Sequence, residues 1–237
     1  MDYPALTPLP PTFAATVASL HAVAERLVAP ARKPDNEISL RGTPGGFGTP
    51  LFEFGGAEHQ VRVEGDELVH TTDMSERRAS LTSLAAAAEA VAGLLPPDAE
   101  LGDEPLAVDA AASRALGAWY GFASALLTEL VDEAGEAEAA TPPRLWPEHF
   151  DIAIELGEEA GGARANYGAS PGDENHDEPY LYVGPWTAEV SGELWNARGF
   201  GGAELGYAEL IAGPDPGAAA IDFFRTRKDA LAQIARS

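Results

Sequence analysis

The feature that most limits what this chain can fold into is the order in which its hydrophobic periods change. Residues 12–29, "TFAATVASLHAVAERLVA", place Phe13, Val17, Leu20, Ala24, Leu27 and Val28 on one helical stripe. Pro30 and Pro34 are expected to end that helix, because proline lacks the N–H a helix interior needs. The period then drops to two in "EISLR", "TPLFEF" and "HQVRVEGDELVHTT", with Gly65-Asp66 as a two-residue hairpin turn. Ser80 can cap a second helix over 81–95, which Pro96-Pro97 stops. A long helix over 108–134 carries a broad apolar face of Val108, Ala112, Leu116, Trp119, Phe122, Leu126 and Leu130. Period two returns in "FDIAIEL", "ARANYG", "PYLYV", "GELWN" and "AELGYAELI". A last helix, 216–235, opens with Asp215 and Pro216.

Strands grouped in consecutive runs, rather than alternating with helices, make hairpins and not crossovers. The expected class is therefore α+β, a mainly antiparallel sheet packed by about four helices. Each half can be read as helix, strands, helix, but no repeated residue motif accompanies that order. The expectation is one domain over 1–237, with linker-like segments at 96–107 and 132–144. Apolar residues are 45% of the chain, enough for a packed core.

The net charge is −23, which disfavours nucleic acid and anionic membrane surfaces, since both are met by clustered Lys and Arg. The chain has no cysteine, so disulfides, thiolate metal sites and cysteine nucleophiles are excluded. No apolar run reads as a membrane span and "MDYPALTPLPPTF" does not read as a signal peptide, so the expected location is cytoplasmic.

Between residues 150 and 170 a hairpin is expected around "GEEAGG" (157–162). Its register would set Ile154 opposite Ala165, Ile152 opposite Tyr167 and Glu155 opposite Arg164. One face is then apolar; the other carries Asp151, Glu155, Arg164 and Asn166. Next comes "NYGASPGDENHDEPYLYV" (166–183), where a Ser-Pro-Gly turn meets Asp173, Glu174, His176, Asp177 and Glu178. This stretch is either a ligand loop or a solvated hairpin tip. No large apolar side chain falls at 173–178, so packing alone should not hold it. Trp146, Tyr167, Tyr180, Tyr182, Trp186 and Trp195 crowd the same region and could wall a polar concavity.

The segments "RLWPEHFDIAI", "YGASPGDE", "EPYLYV", "ELWNARGFGGAELGYAEL" and "PDPGAAAIDFF" together resemble the bacterial domain of unknown function 5996 family. The resemblance is clearest over residues 145–237 and implies a compact α+β protein. It brings no reaction, cofactor or catalytic residue with it.

The chemistry these residues permit is as follows. His149, Asp151 and Asp173 could supply an acid and a base if strand end and turn converge. Trp146, Asn166, Tyr180, Tyr182, Trp195 and Asn196 are the candidate ligand-binding set. His149, Glu174, His176 and Glu178 are the candidate ligands of a divalent metal such as Zn or Mn, although the spacing matches no established ligand motif. No G-x-S-x-G elbow or EF-hand order occurs. "RGTPGGFGTP" (41–50) lacks the G-K-[ST] ending of a phosphate loop and reads as a mobile turn or lid. His21 is expected to pack in the core, and His59 and His70 to be exposed strand residues. Two function classes follow: a protein that binds or acts on a small molecule at the aromatic and carboxylate face, or a non-enzymatic acidic module for interaction or self-association.

Overall fold

The computed structural model describes residues 3–32, 37–187 and 189–235. In chain order it contains α1 (Phe13–Val23), a π-helical turn (Ala24–Val28), α2 (Ala29–Ala31), β1 (Arg41–Thr43), β2 (Gly46–Gly48), β3 (Phe52–Phe54), β4 (Ala57–Glu64), β5 (Glu67–Thr72), β6 (Ser75–Ser80), α3 (Leu84–Ala87), α4 (Ala110–Glu133), β7 (Arg144–Trp146), β8 (Asp151–Leu156), β9 (Ala165–Ser170), β10 (Tyr180–Pro185), β11 (Ala203–Gly206), α5 (Tyr207–Ala212) and α6 (Pro216–Ile234). Short 3-10 turns follow α3 and α4. The fold is α+β with antiparallel strand pairing. The chain divides into two compact units, Thr7–Gly121 with Leu145–Phe150, and Met1–Leu6 with Phe122–Arg144 and Asp151–Ser237. Among the described residues no helix is long and apolar enough to cross a membrane.

In the first unit the strands run β1-β2-β4-β5-β6, with β3 also paired to β4. The Gly65-Asp66 turn forms as expected, with Glu64 opposite Glu67 and Gly65 at φ +64°, a conformation glycine adopts without strain. The glycine-rich stretch is not a lid. It folds as the β1–β2 hairpin, with Gly46, Phe47 and Gly48 all buried. A Cβ on Gly46 would stand 2.2 Å from the Val63 carbonyl oxygen, and one on Gly117 2.6 Å from the Gly46 nitrogen. These glycines therefore let strand and helix backbones touch.

Pro30 does not end the first helix. The π-helical turn lies immediately before it and widens the backbone where the proline ring and its missing N–H would disrupt an α-turn, and the helix continues through Ala31. Pro34 lies outside the described residues. Ser80 does not cap the second helix either: residues 75–80 form β6, and Ser83 is the cap, its Oγ accepting the Ala86 N–H at 3.1 Å. β6, "SERRAS", has no buried side chain and hence no apolar alternation to announce it. Ion pairs help to hold it, Arg78 meeting Glu76 at 2.8 Å, Glu67 at 3.0 Å and Glu64 at 3.2 Å.

Neither His59 nor His70 is exposed: His59 is half-buried. His70 is buried, and its Nε2 meets His59 Nδ1 at 2.8 Å while its Nδ1 faces the Ala90 carbonyl at 3.2 Å. Burial holds the His70 pKa below its ordinary value. His21 packs as expected, stacked on Phe150 with ring centres 5.0 Å apart. Phe150 also meets Phe47 and Tyr120 edge-on and is 1% exposed. Its φ of +56° is costly for an aromatic residue and is held there by that packing, with its carbonyl accepting Tyr120 O–H at 2.6 Å.

In the second unit the order is β11-β10-β9-β8. Ile152, Ile154, Leu156, Ala165, Tyr167, Ala169, Leu181, Val183 and Ala203 are buried. Alternation along the strands gathers them on one face, where Tyr167 meets Phe224 of α6. Tyr167 is thus core, not the wall of a polar concavity. The β8–β9 register is slipped by two residues from the expected one: Ile154 faces Tyr167, Ile152 faces Ala169 and Glu155 faces Asn166. A slip of two keeps every side chain on its face. Glu155 and Arg164 still pair, now diagonally, at 2.8 Å. "GELWN" is not a strand, and "AELGYAELI" divides into β11 and α5.

Candidate binding face

The outer face of the β8–β11 sheet carries the residues left over when alternation turns the apolar ones inward. At its centre is Tyr182 on β10, opposite Gly168 on β9, which in turn faces Ala153 on β8. Because position 168 has no side chain, the Tyr182 ring lies flat across β9. A Cβ there would stand 2.4 Å from Tyr182 Cζ. The phenol thereby reaches the first residue of β8 and donates a short hydrogen bond to Asp151 Oδ2. Asp151 is only 9% exposed. Burial, then the Asp151 charge, push the Tyr182 phenol well above its ordinary pKa.

One residue row along, Tyr180 donates to Asp173 Oδ2 at 2.6 Å. Asp173 Oδ1 accepts the Asn175 N–H at 2.7 Å and meets His176 Nδ1 at 3.0 Å. The other imidazole nitrogen, Nε2, meets Glu204 Oε2 on β11 at 3.3 Å. Ionised carboxylates only accept hydrogen bonds, so a carboxylate at each ring nitrogen favours the doubly protonated, imidazolium form of His176. Burial alone would lower its pKa; Asp173 and Glu204 outweigh it and raise the value above 6.5. For Asp173, burial would raise the pKa, but the Tyr180 hydroxyl, the Asn175 N–H and His176 prevail and hold it below its ordinary value. Burial, followed by Asp173, pushes the Tyr180 phenol up. Hydrogen bonds, rather than packing, therefore organise the acidic turn. Gly172, at φ +111°, closes it where a Cβ would press on the His176 carbonyl oxygen at 2.8 Å.

Aromatic edges border this network. Tyr180 lies 6.2 Å from Tyr182, and Phe200 meets Tyr182 edge-on at 6.4 Å. Trp186 donates from Nε1 to Asn166 Oδ1 at 2.9 Å and is covered by the Arg164 guanidinium. Phe200 and Trp186 are 38% and 44% exposed, large apolar surface left facing outward.

Asp151 and Asp173 of the acid–base set, Tyr180 and Tyr182 of the ligand-binding set and His176 of the metal set share this hydrogen-bonded and ring-packed array. Asn166 stands at its edge with Trp186. Asn196 holds β11, bonding the Glu204 N–H at 2.9 Å and its carbonyl at 3.0 Å. Trp195 is half-buried, its backbone N–H on the Gly192 carbonyl. Glu174 and Glu178 are exposed on the turn. His149 and Trp146 belong to the first unit, His149 exposed and Trp146 half-buried. Among the described residues no group of three or more His, Asp or Glu side chains is arranged to hold a metal ion. Glu204, Gly168 and Phe200 were missed by the sequence reading. Glu204 lies between Ala203 and Leu205 within the expected strand "AELGYAELI", whose alternation is the signal that turns it outward.

No family model matches the chain, and neither a curated protein nor a solved structure matches it.

Proposed function

We propose that the outer face of the β8–β11 sheet binds a small polyhydroxylated molecule. The observation that carries this reading is the chain of fixed acceptors Asp151, Asp173 and Glu204, each held by a phenol or an imidazole beside exposed aromatic surface. Three carboxylates against one imidazole leave the face rich in acceptors, the complement of hydroxyl donors. Phe200 and Trp186 offer flat apolar area to the C–H surfaces of the same ligand.

The proton inventory favours binding over acid–base chemistry. Both phenols are held neutral, and the two carboxylates flanking His176 stabilise its protonated form, which makes all three poorer bases. Kinship with the domain of unknown function 5996 family forms part of the proposal and rests on the motifs quoted above.

The test is a ligand-observed NMR screen of mono- and disaccharides and linear polyols against the wild-type protein and Tyr182→Phe and Glu204→Gln variants. Binding that weakens in both variants supports the reading. A screen without binders, or binding untouched by both substitutions, overturns it.

A further inference from the structure

The first unit contains a cavity of about 450 Å³ that is remote in chemistry from the face just described. Its size falls within the range of small-ligand sites. Ala29, Pro30, Ile38, Pro96 and Pro147 form apolar walls, and Ile38 is 45% exposed, so hydrocarbon surface is left for an occupant to cover. Among the described residues the polar lining is wholly anionic: Glu25, Glu37 and Glu148. Glu37 is already engaged, accepting Ser39 Oγ–H at 3.1 Å and lying 4.0 Å from Arg32. The Glu25 and Glu148 side chains have no hydrogen bond or ion pair with the described residues.

Two irregular pieces of backbone bring these carboxylates to the cavity. Glu25 sits in the π-helical turn preceding Pro30. Glu148 lies on the turn that ends in Phe150 at φ +56°. That turn is pinned by His21 Nε2 on the Pro147 carbonyl at 2.8 Å and by the Phe150 N–H on the Trp146 carbonyl at 2.7 Å. The wall is thus preformed, which lowers the ordering cost of binding.

We propose that this cavity binds a small aliphatic amine, its ammonium at Glu25 and Glu148 and its hydrocarbon body against Ala29, Pro30, Ile38 and Pro147. Charge complementarity selects the cation, and the apolar walls select against a bare hydrated metal ion, which needs a shell of oxygen ligands. No aromatic ring among the described residues lines the cavity, so the quaternary ammonium groups that aromatic cages recognise are not the fit. A primary amine also has the N–H donors that two carboxylates can accept.

The experiment titrates hexylamine into the intact protein by calorimetry and by NMR, with hexanol and methylamine as comparisons. Hexylamine should bind at least about tenfold more tightly than either, because it alone offers both the charge and the chain. Glu25→Gln with Glu148→Gln should weaken hexylamine by about tenfold or more, with an unchanged melting temperature, since both side chains are exposed. Ile38→Ser should weaken hexylamine and leave methylamine unaffected. Absence of hexylamine binding at millimolar concentration, binding that survives the double substitution, or equal affinity for hexanol overturns the proposal.

Discussion

Gly168→Ala is the substitution that most directly probes the outer face. In an interior strand position this change ordinarily stabilises, by about 0.5–1 kcal/mol, because glycine loses more backbone freedom on folding. Here the added methyl would stand 2.4 Å from Tyr182 Cζ, 2.5 Å from its hydroxyl oxygen and 2.6 Å from Cε1. A rigid ring cannot yield by that much in place, so Tyr182 must rotate off β9. That withdraws its hydroxyl from Asp151, and a hydrogen bond to a charged group contributes about 1.5–3 kcal/mol. Setting the intrinsic gain against this loss leaves a net destabilisation of about 1–2 kcal/mol, a melting temperature lower by roughly 2–8 °C for a chain of this size. Urea and thermal unfolding would measure it. The same substitution made in a Tyr182→Ala background should turn stabilising, so the double-mutant cycle should show coupling between the two positions. Gly168→Ala that is neutral or stabilising with Tyr182 intact would refute the argument that the glycine exists to seat the ring.

Tyr182→Phe should cost about 1–3 kcal/mol by removing the donor on a nearly buried carboxylate, with fluorescence-detected unfolding as the readout. The His176 imidazole should titrate above 6.5 by NMR, and Asp173→Asn should lower its midpoint. In stability terms, the His176 contribution is complete below 6.5 and fades as pH rises through its raised folded value. The Asp173 contribution is complete above 3.8 and fades as pH falls through its lowered one. Hydrogen exchange of the 172–178 turn should therefore be slowest, after correction for intrinsic rates, between those limits. Ala139→Gly should stabilise by about 0.5 kcal/mol, because Ala139 sits exposed at φ +44° and the left-handed strain it relieves exceeds the backbone entropy glycine adds.

The strands were legible wherever one face is buried. Alternation at Ile152, Ile154, Leu156 and at Leu181, Val183 gave β8 and β10 directly, and it also assigned Asp151 and Tyr182 to the same outer face. The β8–β9 slip was not legible, because Glu155 and Arg164 attract each other whether directly opposite or diagonal, and a two-residue shift leaves the burial pattern unchanged. β6 was invisible for the opposite reason: its stabilisation is hydrogen bonding and surface charge, which leave no hydrophobic period. Of the outer face, Asp173, His176 and Tyr180 stood out as a dense polar turn. Glu204 did not, since its partner lies 28 residues earlier in the chain and only the β10–β11 pairing brings the two together. The cavity beside Glu25 and Glu148 left no sequence signal, because it arises where a π-helical turn and a left-handed phenylalanine interrupt regular structure.

The Phe150 plug has a consequence for how the protein is made. As the chain leaves the ribosome, residues 7–121 emerge as an almost complete first unit, yet the ring that fills the space among His21, Phe47 and Tyr120 is still to emerge. Truncating a buried phenylalanine to alanine costs about 3–5 kcal/mol, and a nascent chain that stops short of residue 150 lacks the whole residue. Leu145, which pairs with Leu40, is missing at the same stage. The N-terminal segment must therefore wait, with an open core, while the second half of α4 and the segment after it follow. Vectorial synthesis thus delays closure of the first unit until the first residues of the β8–β11 sheet are about to appear, which makes the interval before residue 150 the period of greatest need for a chaperone.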